Sequence, residues 1–283
     1  MSFPRRFARN RGALIGLLIL LAVIAVAALA PLVYPQSPWR MVGRPFMAPF
    51  AVDRFPLGTD TLGRDVASAL MHGARVSLLI GLVSTAFALL IGVPLGAVAG
   101  YAGGLVDDAL MRFTEFFQTI PSFVLAILLV AIFTPTIGSV VFAIAVVSWP
   151  PVARVVRAEF LSLRSREFVQ AAEVLGKSRL SIVVTDILPN ALSPIVVLSS
   201  LMVATAILLE SALSFLGLGD PNLMTWGFLI GSGRSVIRIA WWMSVFPGIA
   251  IFLTVLALNL VGEGLSDALN PRLARQRKAG GLP

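Results

Sequence analysis

The sequence predicts an all-α membrane protein, a bundle of about six transmembrane helices with a short helical elbow in its longest cytoplasmic loop. Three observations carry this reading. Of the 283 residues, 58% are hydrophobic and 13% charged, and the mean hydropathy is +0.93. A soluble domain carries roughly 25% charged residues, and about half of that cannot cover a water-soluble globule of this size. The charged residues are also clustered, leaving uncharged runs long enough to cross a bilayer. Finally, Lys and Arg are divided unequally between the two sets of loops that those runs define. The first observation excludes a soluble enzyme. With no cysteine and a single histidine, the chain has no disulfide scaffold, thiolate nucleophile or cysteine zinc site, and too little for a histidine metal cage.

Residues 1–33 read as a basic tail and the first span. Gly12–Val33 is an uncharged run of 22 residues, about 33 Å at ~1.5 Å per residue, which matches the hydrocarbon core. Arg5, Arg6, Arg9 and Arg11 before it and Ala28-Leu29-Ala30 near its end also fit a cleaved signal, but a signal core is only ~7–15 residues long, which favours a retained helix. An external segment, 34–75, then leads into a core over 76–266.

The core holds the uncharged runs Val76–Val106 (31 residues), Phe116–Ala153 (38), Ile187–Leu209 (23) and Ile239–Gly262 (24). The 38-residue run is too long for one crossing. Turn chemistry at Thr134-Pro135-Thr136-Ile137-Gly138 splits it, and its first half then begins near Ala109 and takes in Glu115. Pro94, Pro121, Pro194 and Pro247 fall inside these helices, as is tolerated where neighbours satisfy the backbone. Gly92, Gly96 and Gly100 line one helix face and permit close approach, for tight packing within the bundle or for a mobile interface. Residues 267–283 form a second basic tail.

With the N-terminus inside, the cytoplasmic pieces are 1–11, 102–108, 154–189 and 267–283, and the external ones 34–75, 134–137 and 217–240. The first set, with Arg112 at its boundary, holds 15 of the 22 Lys and Arg residues, and the second holds 6, with Arg75 at the edge. The positive-inside rule therefore puts both termini in the cytoplasm. Loop placement also absorbs the net charge of +8, so no nucleic-acid partner is called for.

In the loop 154–189, Phe168, Ala171, Ala172 and Leu175 recur at i, i+3, i+4 and i+7, a short amphipathic helix with a shallow apolar face. Gly176 ends it, Ser178 can cap a second helix, and Pro189 breaks that helix near the next crossing. An elbow of this kind suits docking into a groove on another protein; pattern alone equally allows an inert surface hairpin.

Gln170-Ala171-Ala172, Gly176 three residues after Glu173, and Ile187-Leu188-Pro189 resemble the EAA loop of bacterial ABC importer permeases, with Gln170 where that family has Glu. The runs Leu57 to Asp65, Gly73 to Leu78, Glu210 to Gly219 and Asn259 to Arg272 are similar to the C-type permease subunit of dipeptide, oligopeptide and nickel importers. The likeness extends from about residue 10 to 273. It implies a multi-pass protein of the bacterial plasma (inner) membrane, in contact with membrane lipid and paired as a heterodimer with a second homologous permease. Two cytoplasmic ABC ATPases and an extracytoplasmic solute-binding protein would complete the importer, which works by alternating access. Phe168, Gln170, Ala171, Ala172, Leu175, Gly176, Leu188 and Pro189 would then couple to the ATPases. ATP and Mg would be used by those partners, with no cofactor on this chain. Di- and oligopeptides are the expected cargo; nickel, glutathione or other small solutes are the alternative, ahead of a stand-alone channel, carrier or membrane scaffold.

Ala171 to Ser178 also satisfies a relaxed phosphate-loop pattern ending in Gly-Lys-Ser. A phosphate cradle needs a preceding strand and a glycine-rich turn, whereas Ala-Ala-Glu-Val-Leu prefers helix, so this is not read as a nucleotide site. Glu210, near the outer end of the fifth helix, either lines a pathway or pairs with Arg234 or Arg238. Glu115 can pair with Arg112 one turn earlier. Asp60 and Arg64 have ion-pair spacing, and with Asp65 they either build the external segment or help gate the outer mouth. His72 alone makes no metal site. Trp39, Trp226, Trp241 and Trp242 map near the outer interface and Trp149 near the inner one, as anchors.

Overall fold

The computed structural model describes residues 3–269; of the expected C-terminal tail, residues 270–283 lie outside this range. The chain folds into helices α1 (Phe3–Phe7), α2 (Arg11–Val33), α3 (Val66–Ala102), α4 (Gly104–Thr119), α5 (Ser122–Ile132), α6 (Ile137–Arg164), α7 (Glu167–Val174), α8 (Arg179–Ser181), α9 (Leu188–Phe215), α10 (Trp226–Gly233) and α11 (Trp242–Leu269). α8 runs into α9 through a π-helical turn, Ile182–Ile187. Among the described residues, five helical stretches are long and apolar enough to cross a membrane: α2, α3, α6, Arg179–Phe215 and α11. α4 and α5 make a sixth only as a pair bent by 80°.

That bend corrects the expectation of one helix from near Ala109. Ile120 is extended (φ −92°, ψ 128°), because a proline at the next position crowds the helical conformation and offers no N–H to continue the ladder. Pro121 thus stands at a break, whereas Pro94, Pro194 and Pro247 lie inside helices. The split at 134–138 is present, with Thr136 capping α6 in a reciprocal pair with Ser139. α3 begins ten residues before the uncharged run. Asp65 caps it, accepting from Ala67 N at 2.9 Å, and the helix holds His72 and Arg75 toward one end. At 37 residues, about 55 Å at ~1.5 Å per residue, it is longer than a bilayer is thick.

α3 and α6 pack against each other along much of their length, and the glycine stripe explains how. A Cβ on Gly92 would sit 2.6 Å from Val152 Cβ, and one on Gly100 2.6 Å from Phe160 Cβ. Gly96 meets the Ala153 carbonyl more closely still. The stripe is therefore an internal seam of this bundle. Beside it lies a core of Trp149, Val152, Val156, Phe160, Ile182, Ile187, Ala191 and Ile195. α2 is peripheral, with Leu18, Leu21, Leu29 and Leu32 exposed on its surface, as lipid requires.

Most of the tryptophans are packing elements. Trp149, Trp226 and Trp242 are buried, and of the five only Trp241 is well exposed. The indole N–H of Trp226 donates to Leu70 O at 3.0 Å and that of Trp242 to Thr59 O at 3.1 Å. A large apolar ring with one donor is stable in a core when that donor finds a carbonyl.

Candidate functional site

The elbow starts where α6 ends at Arg164, whose guanidinium caps the last carbonyls of α3, Gly100 O at 3.3 Å and Tyr101 O at 3.2 Å. After Ser165 the chain turns into α7, an eight-residue helix with apolar side chains on two faces. Val169 (0% exposed) and Ala172 (7%) point into the bundle, while Phe168 (42%), Val174 (88%) and Leu175 (84%) point out. Ala171 is exposed beside them. The expected face of Phe168, Ala171, Ala172 and Leu175 is thus corrected. Ala172 packs with Val169 in the core that holds Phe160, Ile182 and Ile187, because a helix lying on the bundle must bury one stripe there. Val169 and Val174 escaped the sequence reading, although apolar residues at both phases of an eight-residue helix signal two covered faces. One face is covered by the bundle; the other, with Phe168, Val174 and Leu175, is exposed.

The turn closes as the glycine predicts. Gly176 adopts φ +75°, Lys177 N donates to Ala172 O at 3.1 Å, and Gly176 N to Glu173 O at 3.0 Å. These two bonds satisfy the last carbonyls of α7, with a residue in the left-handed region that favours glycine. Ser178 caps the next helix, its hydroxyl accepting from Ser181 N at 3.3 Å. Gly-Lys-Ser therefore joins two helices, and no β-strand beyond isolated bridges occurs among the described residues.

Pro189 does not break the following helix. The π turn ends just before it, with Leu188 N donating to Val183 O. The wider turn relieves the clash that a proline ring makes with the carbonyl four residues back, so the chain stays helical to Phe215. Leu188 packs against the core, and Pro189 is exposed. Gln170 is exposed, its side-chain amide N–H donating to Ser165 O at 3.4 Å.

At the opposite end of the bundle, Asp60, Arg64 and Asp65 are brought together, but in a turn. Asp60 Oδ1 accepts from Leu62 N and Arg64 N, both at 2.8 Å, and Arg64 Nε lies 3.8 Å from Asp60 Oδ2. The Arg64 guanidinium covers the Trp39 ring at 4.7 Å. Burial pushes the Asp65 carboxyl above the ordinary aspartate range, while the N–H groups of Ala67 and Ser68 and the nearby Arg54 pull it back. These side chains are occupied in folding residues 34–65 onto α3.

Glu210 is 1% exposed, and the expected pairing with Arg234 or Arg238 is absent. Its Oε1 accepts from Ser214 Oγ at 2.7 Å, whereas Arg234 donates to Phe215 O at 3.0 Å and stacks on the Phe215 ring. α10 covers this part of α9, since a Cβ on Gly227 would lie 2.7 Å from Ser211 Cα. The carboxylate is thus sealed inside the chain. Arg112 and Glu115 are both exposed and form no ion pair with each other. α4 is instead tied to α6 through Asp107 and Arg157, in a two-pronged pair with Nη2 to Oδ2 at 2.6 Å. Nothing local in the sequence signals a contact across fifty residues. His72 Nε2 lies 3.0 Å from Tyr34 O, and no cluster of three potential metal ligands occurs among the described residues.

Residues 92–275 match the profile of the family described as binding-protein-dependent transport system inner membrane component, and residues 2–53 that of the N-terminal TM domain of oligopeptide transport permease C. The chain is similar to the di/tripeptide transport system permease protein DppC of Pseudomonas aeruginosa, with 41% identity over 96% of this chain and 92% of that protein. It is also similar to the dipeptide permease DppC of Bacillus subtilis, at 38% identity over 96% and 85%. The oligopeptide permease OppC of Haemophilus influenzae is 38% identical over 95% and 87%. Its fold is similar to that of an inward-facing MetNI methionine ABC transporter, with a TM-score of 0.58 and 18% identity over 71% of this chain and 96% of that one.

Proposed function

The chain belongs to the family of binding-protein-dependent transport system inner membrane components, as a multi-pass C-type permease subunit of an ABC importer, and from that premise we propose that it passes di- and oligopeptides. The observation that carries the mechanism is the outward stripe of α7, Phe168, Ala171, Val174 and Leu175. An ATPase groove takes that stripe, so nucleotide-driven closure pushes α7. Through Val169 and Ala172 the push reaches α6 and α9, and the bundle opens on the other side.

In this reading the second face of the transport path comes from a homologous permease, and a solute-binding protein delivers the peptide to the end that carries residues 34–65. The elbow and both termini lie in the cytoplasm, in line with the unequal distribution of Lys and Arg. ATP and Mg belong to the partner ATPases. Peptide cargo is supported by three relatives named for peptide transport. Growth on short peptides as nitrogen source tests it: cells lacking this subunit lose that growth and regain it on complementation. Unchanged peptide use with lost nickel accumulation overturns the cargo assignment.

A further inference from the structure

Lys177, the middle residue of the Gly-Lys-Ser run, has a contact that phosphate chemistry does not explain. Its Nζ reaches across the elbow to Asp186 Oδ2 at 2.7 Å and Thr185 Oγ1 at 3.0 Å, both in the π turn between the elbow and α9. From that turn Thr185 Oγ1 also donates back to Ser181 O in α8 at 2.8 Å, and Asn190 Nδ2 in α9 donates to Asp186 O at 2.6 Å. The cluster therefore fixes side chain and backbone at one point.

A π turn is an unusual place for a lever to be joined to a span. It holds an extra residue, and a slip of one residue into α register turns everything on one side by ~100° and shifts it by ~1.5 Å. Pro189 limits how far such a slip travels into α9, since it has no N–H to exchange between carbonyls. The compliant section is thus bounded by Gly176 on one side and Pro189 on the other. Lys177 is the side chain that bridges it.

Resting on the importer reading, we propose that Lys177 is a positioning residue for energy coupling. By holding Asp186 and Thr185 it sets the register of the π turn, and with it the angle at which α7 presents Phe168, Ala171 and Leu175 to the ATPase. The charge acts on the joint and touches neither nucleotide nor cargo.

The test uses the complete complex in proteoliposomes, with a labelled dipeptide that its purified solute-binding protein retains, and reads uptake and ATP hydrolysis together. Lys177→Met lowers dipeptide moved per ATP by about threefold, the size of effect that one partly exposed ion pair supports. Lys177→Arg keeps most of the wild-type ratio, and exchanging the charges with Lys177→Asp and Asp186→Lys recovers much of what either single change loses. A purely structural Lys177 would lower the yield of complex and scale uptake and hydrolysis together. An unchanged ratio in Lys177→Met, or an exchange no better than the single variants, therefore overturns the proposal. Should the wild-type complex show no hydrolysis stimulated by the loaded binding protein, the importer reading itself falls and this inference falls with it.

Discussion

Asp107 and Arg157, fifty residues apart, grip each other through two parallel hydrogen bonds and fasten the first turn of α4 to α6. α4 is bent away from α5 by 80° and buries only Asp107 and Thr114, so this pair is its main polar anchor to the bundle. Removing the charge with Asp107→Asn costs about 1 kcal/mol, because the Arg157 side chain remains partly solvated, and lowers the melting temperature by about 2–4 °C. Arg157→Lys falls below wild type as well, since an ammonium cannot make the forked contact. Thermal unfolding of the detergent-solubilised protein measures both; equal melting points for all three would show that α4 is held by other means.

The seam between α3 and α6 leaves no room for a side chain at Gly96, where an added Cβ would strike the Ala153 carbonyl and lie 2.8 Å from Val156 Cβ. Gly96→Leu forces the two helices apart at a cost of about 1–3 kcal/mol or more. Gly138→Leu, where the nearest atom is Thr136 Oγ1 at 3.8 Å, serves as the control. Yield of monodisperse protein drops for the first and stays near wild type for the second.

On the proposed coupling, the two faces of α7 separate partner binding from folding. Leu175→Asp charges an exposed position and leaves the chain's own core intact, so the ATPases no longer co-purify while the melting temperature of the isolated subunit is unchanged. Val169→Asp and Ala172→Asp place a charge in the internal core and destabilise the subunit by about 3 kcal/mol or more, whatever binds outside. A stable Ala172→Asp subunit would contradict the packing of this helix against Phe160, Ile182 and Ile187.

Gly176 sits at φ +75° with open space around it, so only backbone strain limits its replacement. Gly176→Val costs about 1–2 kcal/mol at this conformation, whereas Gly176→Asn, which tolerates the left-handed region, costs less. Stimulated ATP hydrolysis in the assembled complex should fall in the order glycine, asparagine, valine. Equal loss for both variants would point to a contact of Gly176 with the partner instead.

How much of this was legible in the sequence follows from the range of each signal. Charge-free runs place α2, α6 and α11, and the Thr136 and Gly176 turns sit where local chemistry puts them, since each depends on neighbours within a few residues. The break at Ile120 was missed because the length of the run outweighed the proline rule that predicts it. α7 was recognised from its spacing, yet which stripe faces inward depends on Phe160 and Ile187, which no periodicity in residues 168–175 can reveal. Asp107 with Arg157, and Lys177 with Asp186, join residues from different turns or helices, and charge spacing along one helix cannot find them.

Glu210 shows how an intramembrane carboxylate can be structural. It is enclosed by α10, accepts from Ser214 Oγ at 2.7 Å, and has Ser211 Oγ at 3.5 Å, while no cation in the described residues pairs with it. A carboxylate lining the path would act through its charge, whereas one that serves as a hydrogen-bond acceptor acts through its oxygen. Glu210→Gln keeps shape and one carbonyl acceptor for Ser214, so dipeptide uptake and subunit yield both stay close to wild type. Glu210→Leu removes the acceptor and leaves the buried Ser214 hydroxyl to find another, at a cost of about 1–3 kcal/mol. Its uptake falls in proportion to the protein remaining in the membrane. Uptake per assembled complex is the deciding measurement. If Glu210→Gln abolishes it at normal yield, the charge itself takes part in transport, and the enclosure of Glu210 beneath α10 describes only one state of the cycle.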